Sequence, residues 1–209
     1  MYHINAVDEV TQYEVVLSRE RISEQFLLPI LTEILETFPF NMNGFHADKG
    51  SEYINHKVAE LLNKLNIELT KSRPRHRNDN ALAESKNASV VRKIFGYSHR
   101  EQHWADELHV FNRKHLIPFI NYHRPCYFPT TLSDDKGKER KQYPYDKMMT
   151  PYQNLKSLDR TGDYLKGTLT FKILDNEAYK VSDNQAADKM NLAKKRLFKQ
   201  INEQKKACF

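Results

Sequence analysis

Apolar residues fall on two periods along this chain, and the switches between them mark its elements. Residues 2–7 (Tyr-His-Ile-Asn-Ala-Val) and 13–17 (Tyr-Glu-Val-Val-Leu) are β-prone runs, joined by a hairpin-like connection from Asp8 to Gln12. After Ser23, a helix-capping residue, the spacing becomes helical, with Phe26, Leu27, Ile30, Leu31, Ile34, Leu35 and Phe38 on one side. Pro29 is expected to bend or delay that helix, and Pro39 to end it. Gly44 to Asp48 reads as a strand with His46 and Asp48 on one face.

The alternation continues. Residues 56–66 predict a helix with Val58, Leu61, Leu62 and Leu65 inward, and Ile67 to Thr70 a strand. A loop over 71–80 leads into a helix from about Ala81 to Phe95. A helix pair then covers about 102–122, with Trp104, Leu108, Phe111, Leu116, Ile117 and Phe119 as core candidates and Pro118 as a kink. Beyond Pro125 the chain changes character. Asp134 to Tyr145 is charged and reads as an extended linker; 151–158 and 184–206 read as helices, and Thr168 to Ile173 as a short strand. The last helix aligns Met190, Ala193, Leu197 and Ile201, with Lys194, Lys195, Arg196 and Lys199 elsewhere. A DNA-tracking arm, a docking helix and a coiled-coil seam all fit that pattern.

Charge sharpens the division. The 209 residues carry a net charge of +6. Residues 1–132 hold 16 Lys/Arg and 16 Asp/Glu, while residues 133–209 hold 17 and 11, so the surplus lies wholly in the second part. Within the first part, residues 71–100 concentrate Lys71, Arg73, Arg75, Arg77, Lys86, Arg92, Lys93 and Arg100 against only Asp79 and Glu84. A basic collar around isolated carboxylates suits a polyanionic partner. No apolar run approaches the ~18 residues of a membrane span, and the N-terminus has neither signal-peptide nor transit-peptide character. Two distant cysteines, Cys126 and Cys208, fit a reducing cytosol and give no zinc spacing; Cys126 reads as a packed thiol.

The chemistry concentrates in two stretches: Phe45-His46-Ala47-Asp48-Lys49-Gly50-Ser51-Glu52-Tyr53, and Arg75-His76-Arg77-Asn78-Asp79-Asn80-Ala81-Leu82-Ala83-Glu84-Ser85. Thirty-five residues separate Asp48 from Glu84. These flanks and this spacing resemble the second and third acidic residues of the integrase and transposase superfamily, and specifically of bacterial insertion-sequence transposases. There an aspartate–aspartate–glutamate triad holds two divalent metals on a ribonuclease-H-like fold. Hard oxygen ligands drawn from separate elements suit two-metal phosphoryl transfer.

The resemblance implies an α/β, ribonuclease-H-like mixed sheet flanked by helices over residues 1–132, with a basic linker and helical region over 133–209. It implies Asp48 and Glu84 as catalytic, metal-binding residues for Mg²⁺ or Mn²⁺. Arg73, Arg75, Arg77, Lys86, Asn87, Arg92 and Lys93 are its candidate DNA contacts. The partners it implies are mobile-element ends, target DNA and further copies of the chain, in a cytoplasmic, nucleoid-associated setting.

In the family, a central strand carrying the first aspartate precedes the elements seen here, so the chain reads as N-terminally truncated and as an inactive copy. The alternative is a non-catalytic DNA-binding or oligomerising fragment that modulates an intact transposase; a decayed remnant is a third reading. Asp8 is expected to serve turn chemistry, not to replace the missing aspartate. His46 reads as packed or turn-satisfying, near the metal site by resemblance without being a ligand; Glu52 reads as a surface carboxylate. Many relatives place a basic residue seven positions after the glutamate, nearly on the same helix face; here that position is Val91.

Overall fold

The computed structural model describes residues 1–22, 24–47, 56–73, 77–97, 100–133 and 137–207, without the side chains of 24–26, 77–78 and 205–207. Strands β1 (Tyr2–Val7) and β2 (Glu14–Arg19) form an antiparallel hairpin in the register Tyr2↔Arg19 to Val7↔Glu14. The Asp8 carboxylate closes its turn, accepting from the Thr11 backbone N–H at 2.7 Å and the Thr11 hydroxyl at 2.6 Å. That is the turn duty expected of it. From Glu14 to Ser18 strand β2 is buried. Its two faces belong to different cores: Val16 packs with Phe111, Leu116 and Ile201, whereas Val15 and Leu17 pack with Ile30, Ile34 and Phe38. Period-two alternation thus clamps the strand between two layers of helices.

Helix α1 (Glu24–Thr37) supplies one of those layers and reaches further. Ile30, Ile34 and Phe38 face the hairpin, while Leu27, Leu31 and Leu35 face a cluster with Val58, Leu62 and Ile67. Each stripe is a four-residue repeat, the spacing that stacks side chains along one helix face. Pro29 neither delays nor ends the helix. It lies on the exposed side, where water can satisfy the carbonyl that loses its hydrogen-bond donor. At the C-terminal end Lys166 donates to the Phe38 carbonyl at 2.8 Å and to the Leu35 carbonyl, a cation at the negative end of the helix.

The second cluster belongs to a β-α-β unit. Strand β3 (Gly44–Ala47) pairs in parallel with β4 (Glu68–Lys71), joined through helix α2 (His56–Lys64). Val58 and Leu62 are buried as expected, but Leu65 lies past the helix end and is 51% exposed. No ladder joins the hairpin to this unit among the described residues. Among the described residues β1 pairs only with β2 and β3 only with β4, so the α/β chain carries separate two-stranded sheets.

Helix α3 (Ala81–Lys86) continues through a π-helical stretch (Asn87–Arg92) into α4 (Lys93–Phe95). It stops at Gly96, whose φ of 75° suits glycine and whose N–H returns to the Arg92 carbonyl at 2.8 Å. The expected helix pair over 102–122 is instead one helical run. It passes from a 3₁₀ turn (Gln102–Trp104) through α5 (Ala105–Phe111) and two π stretches, Asn112–Leu116 and Phe119–His123. Pro118 keeps helical angles, φ −59° and ψ −43°, between the two π stretches. Local π adjustment accommodates the missing donor there without breaking the run.

The segment expected as an extended linker pairs into a ribbon, β5 (Thr130–Ser133) with β6 (Glu139–Gln142). Helix α6 (Pro151–Ser157) begins with a capping box between Thr150 and Gln153. The strand expected over 168–173 is overturned, because Thr170 caps α7 (Phe171–Ala178) by accepting from the Ile173 N–H. Helix α8 (Asp183–Ala207) docks on the core through Ala186, Met190, Leu197 and Ile201. Of the three uses open to its apolar seam, docking is the one the fold employs. The residues after 133 therefore share cores with those before it.

Ile201 is fully buried, so Ile201→Ala is expected to destabilise the chain by about 2–5 kcal/mol. Leu192→Ala, at a side chain 49% exposed on the same helix, is expected to stay within about 0.5 kcal/mol of the parent. Urea unfolding of the two variants checks both.

Candidate functional site

Strand β3 is described to Ala47, a buried residue whose carbonyl accepts from the Ser72 N–H at 3.2 Å. Asp48 and Glu52 lie outside the described residues, as does Arg75; the side chain of Arg77 is not described. His46 turns toward β4: its Nδ1 lies 2.9 Å from the Thr70 hydroxyl and its Nε2 3.2 Å from the Ser72 hydroxyl. It is hydrogen-bonded by its own sheet.

Glu84 sits on the first turn of α3 and is exposed. The loop ahead of it is clipped by Asp79, whose carboxylate accepts from the Arg73 backbone N–H at 3.0 Å. Arg73 Nε also bonds Asp79 at 3.1 Å and Nη2 at 2.8 Å. An exposed ion pair contributes little energy, but a two-pronged one sets geometry. Arg73 is thus engaged within the loop in this conformation.

Lys86 turns inward. It is 7% exposed, and its ammonium donates to Cys126 Sγ at 3.0 Å. Asn87 accepts from the Asn5 amide at 3.1 Å, tying this helix to β1. Val91 packs against the core with Val90. The wider π turns from Asn87 to Arg92 break the 3.6-residue count, so Val91 does not return to the exposed face of Glu84. Arg92 and Lys93 are exposed, with the Arg92 guanidinium 5.9 Å from the Tyr97 ring centre.

A cationic group that pattern reading did not join spans two distant segments. The Arg100 guanidinium stacks 4.2 Å from the Phe198 ring centre, and Lys194 approaches the same ring at 5.6 Å. Arg100 Nε is buried without a hydrogen-bond partner among the described residues, and Nη2 donates to the Phe95 carbonyl at 3.0 Å. His3, stacked on Phe95, is held down to about 4 by burial and by the Arg100 charge. Burial first, and the Arg100 charge second, keep this histidine neutral. Its signal in the sequence was compositional only, since 97 residues separate Arg100 from Phe198.

A second group lies behind α3. Glu14 is 1% exposed, and neither carboxyl oxygen meets a hydrogen-bond partner among the described residues. Burial pushes its carboxyl up to about 7, against the opposing pull of Lys86, the Asn5 amide and Arg124. Asn121 secures the backbone there, accepting from the Glu14 N–H and donating to the Glu14 carbonyl, each at 2.8 Å. The sequence held a hint: Glu14, Val16 and Ser18 share one face of β2, which puts an acid on an inward row.

Among the described residues no set of three His, Cys, Asp or Glu side chains is placed to hold a metal. Glu84 offers a hard oxygen donor of the right kind, but by itself it does not make a site for a divalent ion. Such a site would depend on Asp48.

No family model matches the chain. A 71-residue stretch is 32% identical to "Uncharacterized protein y4rM" of Sinorhizobium fredii (strain NBRC 101917 / NGR234), covering 34% of this chain. The match spans 20% of that relative's length, and its description names no activity.

The Glu14 carboxyl gives a pH signature with a definite sign. Below about 4.5 it is protonated folded and unfolded, so it has no effect. As pH rises from about 4.5 to about 7 the unfolded chain releases this proton first, and folding loses stability on the order of 3 kcal/mol. Glu14→Gln is expected to remove that loss. Its advantage over the parent in urea midpoint should therefore grow from pH 4.5 to pH 8, and an advantage independent of pH would contradict the assignment.

Proposed function

We propose that this chain is a DNA-binding member of the insertion-sequence transposase and integrase superfamily. The observation that carries the reading is the paired motif around Asp48 and Glu84, together with the elements it falls on. Strand β3 leads into Asp48, α2 and β4 follow, and a loop ending in Asn78-Asp79-Asn80 presents Glu84 exposed on α3. The ribonuclease-H-like arrangement is part of this proposal. In it, a further strand would lie between β1 and β3, each of which has one edge without a strand partner among the described residues.

Asp48 and Glu84 would hold Mg²⁺ or Mn²⁺, which when bound supplies charge neutralisation at a phosphodiester. The chain's own contribution is binding. The exposed cations Arg92 and Lys93 and the Arg100–Lys194 group meet the phosphate backbone, so affinity is electrostatic and largely independent of sequence. Lys86, buried on Cys126, contributes to this surface only after turning outward.

A second reading rests on the two motifs supplying two acids, Asp48 and Glu84, where the resembling enzymes use three. On that reading the chain binds DNA, or pairs with an intact transposase, without cutting. Asp8 does not fill the role, because its carboxylate is engaged by Thr11.

Fluorescence anisotropy with a labelled duplex separates these readings. Binding is expected at low salt, with log affinity falling linearly against log salt. Replacing both Arg100 and Lys194 with Gln should lower the slope by roughly two. Metal-dependent cleavage abolished by Asp48→Asn and by Glu84→Gln would favour the catalytic reading, and binding without cleavage the second. Absence of binding at low salt would overturn both.

A further inference from the structure

Cys126 and Lys86 form a chemical pair that neither the motifs nor the proposed DNA binding explains. Lys86 Nζ lies 3.0 Å from Cys126 Sγ. The lysine is 7% exposed, while the cysteine is partly open to solvent. The geometry is held from both sides. Cys126 exchanges two backbone hydrogen bonds with Met149, at 2.8 and 3.3 Å. Two residues earlier, Arg124 donates to the Ser89 carbonyl at 3.1 Å and binds the segment to the helix that carries Lys86. The thiol is oriented toward the Arg124 carbonyl at 3.8 Å, leaving sulfur lone pairs toward the amine. Glu14 is 1% exposed, with neither carboxyl oxygen partnered among the described residues, and its carboxyl feels the Lys86 charge.

We propose that Cys126 and Lys86 are a redox modification site, at which peroxide converts the contact into a covalent sulfur–nitrogen bridge. In the first step Cys126 S–H reacts with hydrogen peroxide to give S–OH and water; sulfur is oxidised by two electrons and peroxide is reduced. In the second step the Lys86 nitrogen, having given one proton to solvent at the partly open Cys126, attacks sulfur. The S–O bond breaks, the oxygen leaves as water with a second nitrogen proton, and one hydrogen stays on the bridging nitrogen. No further oxidant is needed. Two equivalents of a thiol reverse the bridge, returning Cys126 S–H and the Lys86 amine and leaving a disulfide.

The bridge links two segments 40 residues apart in sequence. It fixes α3 two residues beyond Glu84 and removes the positive charge at Lys86. The site is defined by its own geometry and stands whether or not the chain acts on DNA.

The test uses the full chain carrying Cys208→Ser, so that a Cys126–Cys208 disulfide cannot form. After treatment with hydrogen peroxide, the expected intact-mass change is a loss of about 2 Da, the two hydrogens removed by sulfenic-acid formation and condensation. Tandem mass spectrometry should place a cross-link between the Cys126 and Lys86 peptides, and dithiothreitol should restore the original mass. In Lys86→Arg, which keeps the positive charge, oxidation should proceed to sulfinic or sulfonic acid with no cross-link. Oxygen adducts on Cys126 as the sole products in the Cys208→Ser chain would overturn the proposal. So would a mass loss in which Lys86 is not the partner. The intact-mass and cross-link readouts need no change at position 86, so they decide the matter even if Lys86→Arg folds poorly.

Discussion

Helix α1 packs against two strand pairs that share no ladder among the described residues. It reaches both because its apolar residues form two stripes instead of one. Ile30, Ile34 and Phe38 enter the core of the hairpin, and Leu27, Leu31 and Leu35 enter that of the β-α-β unit. Burying one such side chain contributes roughly 1.5–3 kcal/mol, so each stripe offers several kcal/mol, comparable with a whole domain's net stability of about 5–15 kcal/mol. Side-chain packing thus performs the joining that backbone hydrogen bonds perform in a continuous sheet. The cost is geometric. A ladder fixes register residue by residue, whereas packing across a helix leaves the outer edges of β1 and β3 unpaired among the described residues, and an open edge is a place for another strand to add.

Strong periodicity made part of this legible. The four-residue repeats of α1 and α8 named their buried residues, and the Asp8 turn followed from short-range side-chain chemistry. Competing local signals hid the rest. Thr168 to Ile173 carries the β-branched composition of a strand, yet one Thr170 hydroxyl on an amide selects a helix. Pro118 read as a kink between two helices, yet it keeps helical angles within one run, with π turns on either side. The Asp134–Tyr145 charges suggested an open linker, although Lys141 and Arg140 pair across from Thr131 and Leu132. What no pattern within one segment can reveal is a contact between segments. The Arg100 and Lys194 cations meet over Phe198 only because α8 folds back.

At the candidate site the legible part was the order of elements and the exposure of Glu84. The illegible part was the direction of each basic side chain. Lys86 and Arg92 are six residues apart and equally cationic, yet one is buried and the other exposed. A helical wheel drawn at 100° per residue places the two about 120° apart but does not say which of them meets the core, and the π stretch between them changes the pitch. Arg73 shows a different limit. Its charge was readable, but its engagement with Asp79 depends on a loop conformation that composition does not determine.

The inward turn of Lys86 also couples the hairpin to the helix that presents Glu84. Glu14 on β2 and Lys86 on α3 are both nearly excluded from water, where an ionised group without a partner is costly and an attracting charge is correspondingly strong. If Glu14 is ionised, Lys86 is the leading charge that favours that state; if Glu14 is protonated, the hold on Lys86 weakens. Either change acts within two residues of Glu84. With the Glu14 carboxyl at about 7, both states are populated near neutral pH. The backbone of β2 stays in place throughout, because Asn121 bonds it through groups that do not titrate. Charge at Glu14 therefore reaches α3 through the Lys86 side chain and not through movement of the strand, so the orientation of this lysine is the element on which the two sides of the cluster act.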